Sequence, residues 1–440
     1  MLRGRLDALE LPLVGGGRAS SGNISGSGGG SGGGGISKWQ AAASVMKAIM
    51  GAGSFSLPWA FAQTGYVAGP VAMLLLMWLS LSSLKVLVRC RRLCGQGGPG
   101  AKAGHGKVGL PASYVDVARA AFGEAGARLA YGASISASVG VCGSYLVFIG
   151  ANIVSLAPPD WALDQTTVVL CTLPLAVALS AVRDVQRFAA ASLLGDVSVV
   201  LGMVVVVAYG ALSGTRGEGC LAVAEYATMP LAFGAVGFLF FIHFLVLPIE
   251  SSMARPDEFE TMVNATFLAC AVVSAAFGVA GYLFFGAATH QIVILNVSGS
   301  AVVSSVKLLL CVDLLFTYPV VMRPSIEIVE RSLVARSGGQ QGGEAGRGLQ
   351  LAVCAALGVV AAGASVLVPA FALLSGLVGG VSQTVLGLVM PPLIFRKLQR
   401  AQWSSVLGVQ TAAMVLFGMS AVGWTVLSTY REVQAHEKMV

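Results

Sequence analysis

The stretch VMKAIMGAGSFSLPWAFAQTG, residues 45–65, is apolar and long enough to cross a bilayer. It nevertheless carries Gly51, Gly53, Ser54 and Pro58 in its middle and Lys47 just before them. In hydrocarbon, each unpaired peptide group costs several kcal/mol, so an interrupted membrane helix survives only where the break is buried in protein or lines a wet cavity. There the freed groups become a binding site. The N–H groups opening the second half-helix favour an anion, and the carbonyls closing the first favour a cation or ammonium. A zwitterionic amino acid carries both charges on one carbon. Glycine admits close approach of a ligand to the backbone, and Pro58 stands where its missing N–H matters least. The alternative is that Gly51 and Gly53 serve only close helix packing.

Ionisable side chains at membrane depth cost at least about 2.5 kcal/mol and usually mark function. Here they are Lys47, Asp196, His243, Lys307 and Asp313. His243, with an ordinary pKa near neutrality, reads either as a proton carrier or as a hydrogen-bonded packing residue. Asp313 lies in the middle of its apolar run and is a candidate for proton uptake and release; it follows Lys307 by six positions, which is not contact spacing on a helix. Asp196 reads as a coupling acid or as a structural hydrogen-bond partner of nearby backbone. Lys47 either snorkels toward the headgroups or pairs with an acid such as Glu250. Glu250 itself reads as a gate or helix-end contact, or as a solvated loop charge. No run of His, Cys, Asp or Glu has metal-ligand spacing, so neither a metal nor another cofactor is expected.

The elements that must hold these groups are membrane helices. Of 440 residues, 56% are hydrophobic and 11% charged, against about 25% charged in an average soluble domain. Apolar runs near 39–62, 66–88, 126–154, 165–182, 190–213, 230–249, 263–286, 300–322, 350–370, 372–394 and 405–429 predict about 11 transmembrane helices in an all-α polytopic chain. Pro369 separates the ninth from the tenth. With a cytoplasmic N-terminus, the inside loops carry Arg89, Arg91, Arg92, Lys102, Lys107, Arg183, Arg187, Arg255, Arg323, Arg331, Arg336, Arg347, Arg396, Lys397 and Arg400. The outside loops carry Arg216, and the outer tail adds Arg431 and Lys438. This asymmetry is the positive-inside rule. It accounts for the net charge of +7 without nucleic acid, since the basic residues alternate between loops and do not share one face. Residues 1–37, ending in a Gly/Ser tract, read as a disordered cytoplasmic tail; 38–430 form the membrane domain, and 431–440 a short tail. The segment ASYVDVARAAFG (112–123) reads as a short helix packed under the bundle or lying at the interface, with Tyr114, Val117 and Ala121 on one face. Cys90 and Cys94 sit beside arginines at a membrane edge, the setting of reversible palmitoylation or of idle thiols. Asn296 opens an N-x-S sequon close to a span end, a poor place for a glycan.

Inverted-repeat transporters place a second broken helix five spans after the first. Span six, PLAFGAVGFLFFIHFLVLPIESS (230–252), has Gly234, Gly237 and Pro248, which predicts a five-plus-five repeat with one extra helix. Four motifs then fix a resemblance. They are KAIMGAGSFSLPWAFAQTGYVAGP (47–70), GSYLVFIGAN (143–152), LPIESSMARPDEF (247–259), and GYLFFGAATHQIVILN (281–296) leading to VKLLLCVDLLFTYPVVMRPSIEIVE (306–330). In this order and at these spans the chain, over about residues 38–428, resembles the amino acid/auxin permease family. It is most similar to the proton-coupled amino acid transporters of animals and the vacuolar neutral and aromatic amino acid transporters of plants. The resemblance implies secondary transport of small neutral amino acids, commonly proton-driven, by a fold of the amino acid–polyamine–organocation type with its site between spans one and six. It makes Gly51, Gly53 and Ser54 the cradle for the substrate carboxylate, Tyr145 a third-span wall, and Phe238 and Phe241 the span-six side of the pocket. Two positions depart from the family pattern. Ser44 stands where the animal branch has a histidine, and FFI (240–242) replaces F-E-G, which predicts a span six that unwinds less readily and a narrowed pocket.

Three functions can be set against this pattern. A proton-coupled transporter working by alternating access leads. A non-transporting amino acid sensor would keep the same site. A membrane-embedded enzyme would need clustered acid–base groups, and the sequence offers none. Neither the side chain preferred nor the choice between vacuolar, lysosomal and plasma membrane is written in the sequence.

Overall fold

Ser37 starts the first helix. Its Oγ accepts the Gln40 N–H at 3.3 Å while Gln40 Oε1 accepts the Ser37 N–H at 2.8 Å, a reciprocal capping box. α1 (Lys38–Ile49) ends at Met50, whose φ/ψ of −92°/89° leaves the helical region. Gly51 is extended, a 3₁₀ turn covers Ala52–Ser56, and α2 (Leu57–Ala62) resumes with Pro58 in its first turn. The first span is therefore interrupted at the small residues that predicted a break. The computed structural model describes residues 35–95, 113–182, 189–214, 222–225, 228–297, 299–336, 344–399 and 405–437. Tail residues 1–34 and, among the charges used to orient the loops, Lys102, Lys107, Arg183, Arg187, Arg216, Arg400 and Lys438 lie outside them, as does Ser298 of the sequon. Ile36 and Ser37, assigned to the tail from composition, are joined to the bundle by the cap and by backbone bonds given below.

The chain continues as α3 (Ala68–Gly95), α4 (Tyr114–Leu156), α5 (Gln165–Ser180), α6 (Ala189–Leu212), α7 (Met229–Phe240), α8 (His243–Ser252), α9 (Phe259–Phe285), α10 (Ala301–Arg336), α11 (Glu344–Leu367), α12 (Phe371–Leu377), α13 (Met390–Leu398) and α14 (Ser405–Glu437). Between α12 and α13, residues 378–383 and 385–389 are wound as π-helix. Nine helical stretches among the described residues are long and apolar enough to cross a membrane. α5 is shorter, at 16 residues, and the α1–α2 pair is interrupted. The Val368–Ala370 link sits where Pro369 predicted a turn.

The segment read as a short helix before span three is merged into α4 and set off from it by Gly123, which has φ 62° and ψ −149°, a backbone conformation open to glycine. Tyr114, Val117 and Ala121 are buried, and the Tyr114 hydroxyl donates to the Leu386 carbonyl at 2.7 Å. The segment is thus a packing element. Cys90 is fully buried and closed to acylation, while Cys94 is half-buried. The Asn296 amide is committed to its own loop, accepting from His290 N–H and donating to the Ala288 carbonyl, each at 2.8 Å.

Span six breaks in a different place from the one its glycines indicated. Gly234 and Gly237 stay helical within α7. A Cβ on Gly234 would come 2.1 Å from the Gly376 carbonyl oxygen, and one on Gly379 would come 2.1 Å from the Gly234 oxygen. These glycines bring the backbones of α7 and the α12 span together, the usual work of small residues in membrane helices. The interruption falls instead at Phe241 (φ/ψ −87°/61°) and Ile242 (−83°/18°). The expectation that bulky residues there would keep the span wound is not met.

Candidate functional site

The first interruption packs against the last turn of α7, just ahead of the second. Gly53 abuts α7 so closely that a Cβ would lie 2.8 Å from both Phe238 Cδ1 and Leu239 Cδ1. Ser54 is fully buried, its N–H bonds the Gly51 carbonyl at 3.0 Å, and its hydroxyl has no hydrogen-bond partner. Phe55, next in the 3₁₀ turn, stands 5.8 Å from the ring of Phe148 on α4 and 6.0 Å from that of Phe277 on α9. Phe371 closes the group, 5.7 Å from Phe148 and 6.4 Å from Phe238. Tyr145 lies one turn before Phe148 on the buried face of α4. The first break is thus enclosed by aromatic rings from several helices. A cavity of about 350 Å³ lies elsewhere, between α2, α3, α7 and α14, and is lined by apolar residues such as Phe61, Val236, Phe417 and Trp424.

One turn before the break, three charged side chains meet. Lys47 Nζ lies 3.3 Å from Asp313 Oδ1 and 3.8 Å from Asp196 Oδ1, tying α1 to α10 and α6. Asp313 also accepts the Thr317 hydroxyl at 3.2 Å. Its carboxylate lies directly against α6, because a Cβ on Gly195 would come 1.7 Å from Asp313 Oδ1. Lys47 therefore takes Asp313 and Asp196 as acidic partners in place of Glu250, and Asp196 faces a cation.

His243 begins α8 just after the second break. It is fully buried, neither ring nitrogen has a hydrogen-bond partner, and its ring lies 6.4 Å from that of Phe241. Phe241 in turn packs on Phe233, which packs on Phe417 of α14. Both side chains belong to the packing between α8, the π-wound span and α14; the contacts at the first break are made by Phe238. The carbonyl freed at Phe240 is met by the Ser80 hydroxyl of α3 at 2.6 Å and by the Ile242 N–H at 3.0 Å, as an interrupted membrane helix requires.

The end of the bundle where α1 begins and α8 finishes is closed. Glu250 is 2% exposed, is hydrogen-bonded to the buried Arg91 and lies 3.4 Å from Arg92, so it is no solvated loop charge. Ile36 N–H donates to the Ser252 carbonyl at 2.8 Å and Ala254 N–H donates to the Ile36 carbonyl at 3.0 Å. Gly35 permits this approach, since a Cβ there would lie 2.6 Å from Ala254 N. Lys38 reaches Glu258 at 3.7 Å.

Sequence reasoning missed Arg91, Gly195, Ser80 and the ring of Phe55, Phe148, Phe277 and Phe371. Arg91 was counted among loop charges, and only its place one helical turn past the apolar run of α3 hinted at burial. For Gly195 the sole signal was its position next to Asp196. The aromatic residues come from distant segments, and no spacing rule links them.

Residues 34–431 match the family described as "Transmembrane amino acid transporter protein". Amino acid transporter AVT3C of Arabidopsis thaliana is 28% identical over 426 residues, covering 89% of this chain and 91% of that one. Amino acid transporter AVT3B of the same plant is 30% identical over 337 residues, 73% of this chain and 75% of that one. The vesicular inhibitory amino acid transporter of Mus musculus is 27% identical over 424 residues, 91% and 77% of the two chains. Among solved structures, the substrate-bound outward-open state of a Na⁺-coupled sialic acid symporter superposes with a TM-score of 0.51 at 13% identity, covering 90% of each chain, a likeness of fold. With a polytopic helical fold, two interrupted spans packed on each other and a family match over nearly its whole length, the chain belongs to the transmembrane amino acid transporter family.

Proposed function

We propose that the chain is a secondary active transporter of small neutral amino acids, coupled to protons and working by alternating access. The observation that carries this reading is the packing of the first interruption, at Gly53, on the last turn of α7, at Phe238 and Leu239. It gathers half-helix ends and a buried, unpartnered Ser54 hydroxyl at one point, suited to a zwitterion with a small apolar side chain. Gly51, Gly53 and Ser54 would hold the carboxylate, and Tyr145 and Phe238 would wall the pocket. The Lys47–Asp313–Asp196 cluster supports proton coupling. One ammonium between two carboxylates leaves a negative charge uncompensated at membrane depth, and a proton is the smallest cation that offsets it. The Ile36 backbone pairing and the Lys38–Glu258 contact would form the gate at the closed end, cytoplasmic by the positive-inside rule, with Arg91–Glu250 fixing α8 to α3 beside it. About eleven spans in a five-plus-five inverted repeat with one extra helix, flanked by short tails, complete the arrangement. The relatives named vacuolar and vesicular favour an internal membrane.

The test is uptake of labelled neutral amino acids into proteoliposomes under an imposed pH gradient. Accumulation should track the gradient and collapse with a protonophore. Uptake indifferent to the gradient would remove the coupling, and saturable binding with no flux would remove transport itself.

A further inference from the structure

Lys307 is the charged side chain that the proposed transport scheme leaves unused. It sits near the start of α10 and is 4% exposed. Buried charges at membrane depth ordinarily face an opposite charge. Among the described residues, Lys47 meets Asp313 and Asp196, and Arg91 meets Glu250. Lys307 meets no carboxylate. Its partner is a neutral oxygen, the Ser155 hydroxyl on the last turn of α4, at 3.2 Å. That hydroxyl donates its own hydrogen to the Asn152 carbonyl at 2.7 Å, so its lone pair is what it offers the lysine. An ammonium has three N–H donors, and two remain for a ligand.

We propose that Lys307 and Ser155 form a binding site for a small monovalent anion, chloride or a carboxylate, where the end of α4 meets the start of α10. Three features fit. The charge is fixed on a membrane helix and has no protein counter-charge among the described residues. Ser155 is exposed while Lys307 is covered, so the ammonium is reached from the end of α4 and shielded on its other sides. The neighbouring Asn152 is fully buried with its Oδ1 unpartnered. An anion arriving with one water satisfies both groups, because the water donates one hydrogen to the anion and the other to Asn152 Oδ1. A single ammonium charge matches a singly charged ligand.

The site is tested on binding, independently of flux. The purified full-length protein is melted at constant ionic strength while chloride, or separately acetate, replaces a bulky sulfonate anion. The wild type should show a saturable rise in melting temperature. Lys307→Gln should weaken the apparent affinity at least tenfold, Lys307→Arg should retain most of it, and Ser155→Ala should weaken it a few-fold. A response to chloride alone identifies an inorganic anion. A stronger response to acetate, displaced by glycine, identifies the carboxylate of the substrate. A wild type with no anion-specific shift, or a shift of equal affinity in Lys307→Gln, overturns the site and leaves Lys307 as a cap on α4. Should Lys307→Gln fail to fold, an affinity unchanged in Ser155→Ala overturns it equally.

Discussion

Gly195→Ala is a methyl-sized probe of the charge cluster. The new Cβ would lie 1.7 Å from Asp313 Oδ1 and 2.3 Å from its Cγ. Ordinary contact requires about 3.4 Å, so the carboxylate must retreat by about 1.7 Å or α6 must move away from α10. A retreat away from Lys47 stretches the 3.3 Å contact to about 5 Å. At an effective dielectric of about 20 the attraction then falls from about 5 to about 3.3 kcal/mol, a loss near 1.7 kcal/mol or about twentyfold in any equilibrium that depends on it. If the cluster couples proton binding to the movement of α1, gradient-driven uptake in proteoliposomes should fall about twentyfold, while equilibrium binding of the amino acid, measured without a gradient, changes little. The same substitution made on an Asp313→Asn background should add almost nothing, since the charge it displaces is gone and coupled residues are not additive. Gly195→Ala with wild-type uptake and gradient dependence, or with an effect that simply adds to that of Asp313→Asn, would refute the reasoning.

Other consequences are equally direct. Glu250→Gln removes the charge that Arg91 and Arg92 share and should loosen the α3–α8 contact by about 3 kcal/mol, seen as a lowered melting temperature; an unaltered melt would mean that the pair does not hold α8 to α3. Gly234→Ala drives a methyl into the Gly376 carbonyl and should destabilise the α7–α12 contact by about 1–3 kcal/mol, seen as a lowered melting temperature; an unaltered melt would mean that the backbones are not in contact. Asp164, which caps α5, is held below the ordinary carboxylate range first by the Thr167 hydroxyl and then by the Thr167 N–H. Its stabilisation is therefore complete above the unfolded pKa and lost as pH falls through the lowered folded value. Asp164→Asn should accordingly leave any pH dependence of uptake between about pH 5 and 8 as it is, and a changed profile would place a coupling role outside the membrane cluster.

Much of this architecture was legible because membrane physics writes it into composition. Runs of apolar residues located the spans, although α3 and α10 run on to Gly95 and Arg336, past the predicted ends at 88 and 322, and the cluster of Gly51, Gly53 and Ser54 ahead of Pro58 located the first break. What stayed hidden depended on azimuth and on distant partners. Gly234 and Gly53 are the same residue type in matching spans, yet one packs backbone on backbone and the other lies where the α-helix is broken. The difference lies in what stands opposite, the α12 carbonyls in one case and the Phe238 and Leu239 side chains in the other. Lys47 was assigned Glu250 as a possible acid because the two fall at the same end of their spans. The rotation of α1 turns the lysine toward α10, and Arg91, counted as a loop charge, takes Glu250.

The two interruptions are held open by different means, and this bears on how the bundle moves. The first is intrinsic: Gly51 is extended, the 3₁₀ turn closes through Ser54 N–H to Gly51 carbonyl and Ser56 hydroxyl to Gly53 carbonyl, at 3.0 and 2.7 Å, and every hydrogen bond named is local. The second lies at two bulky apolar residues; it closes locally through the Ile242 N–H to the Phe240 carbonyl at 3.0 Å and is buttressed by neighbours. Ser80 of α3 takes the Phe240 carbonyl, and Ser83, one turn on, donates to the Gly387 carbonyl in the π-wound span that lies against Phe241 and His243. A local hinge keeps its hydrogen bonds when its half-helices swing, whereas a hinge satisfied by a neighbour must carry that neighbour along or expose a peptide group to hydrocarbon. In the proposed scheme α1 pivots on its own turn once Lys47 and the Ile36 pairing release it, while α8, turning without α3, would give up the Ser80 bond to the Phe240 carbonyl. The Arg91–Glu250 contact joins those same two helices, so it travels within the moving unit. The bonds that must break to open this end are those of α1: Lys47 to Asp313 and Asp196, Lys38 to Glu258, and Ile36 to residues 252–254.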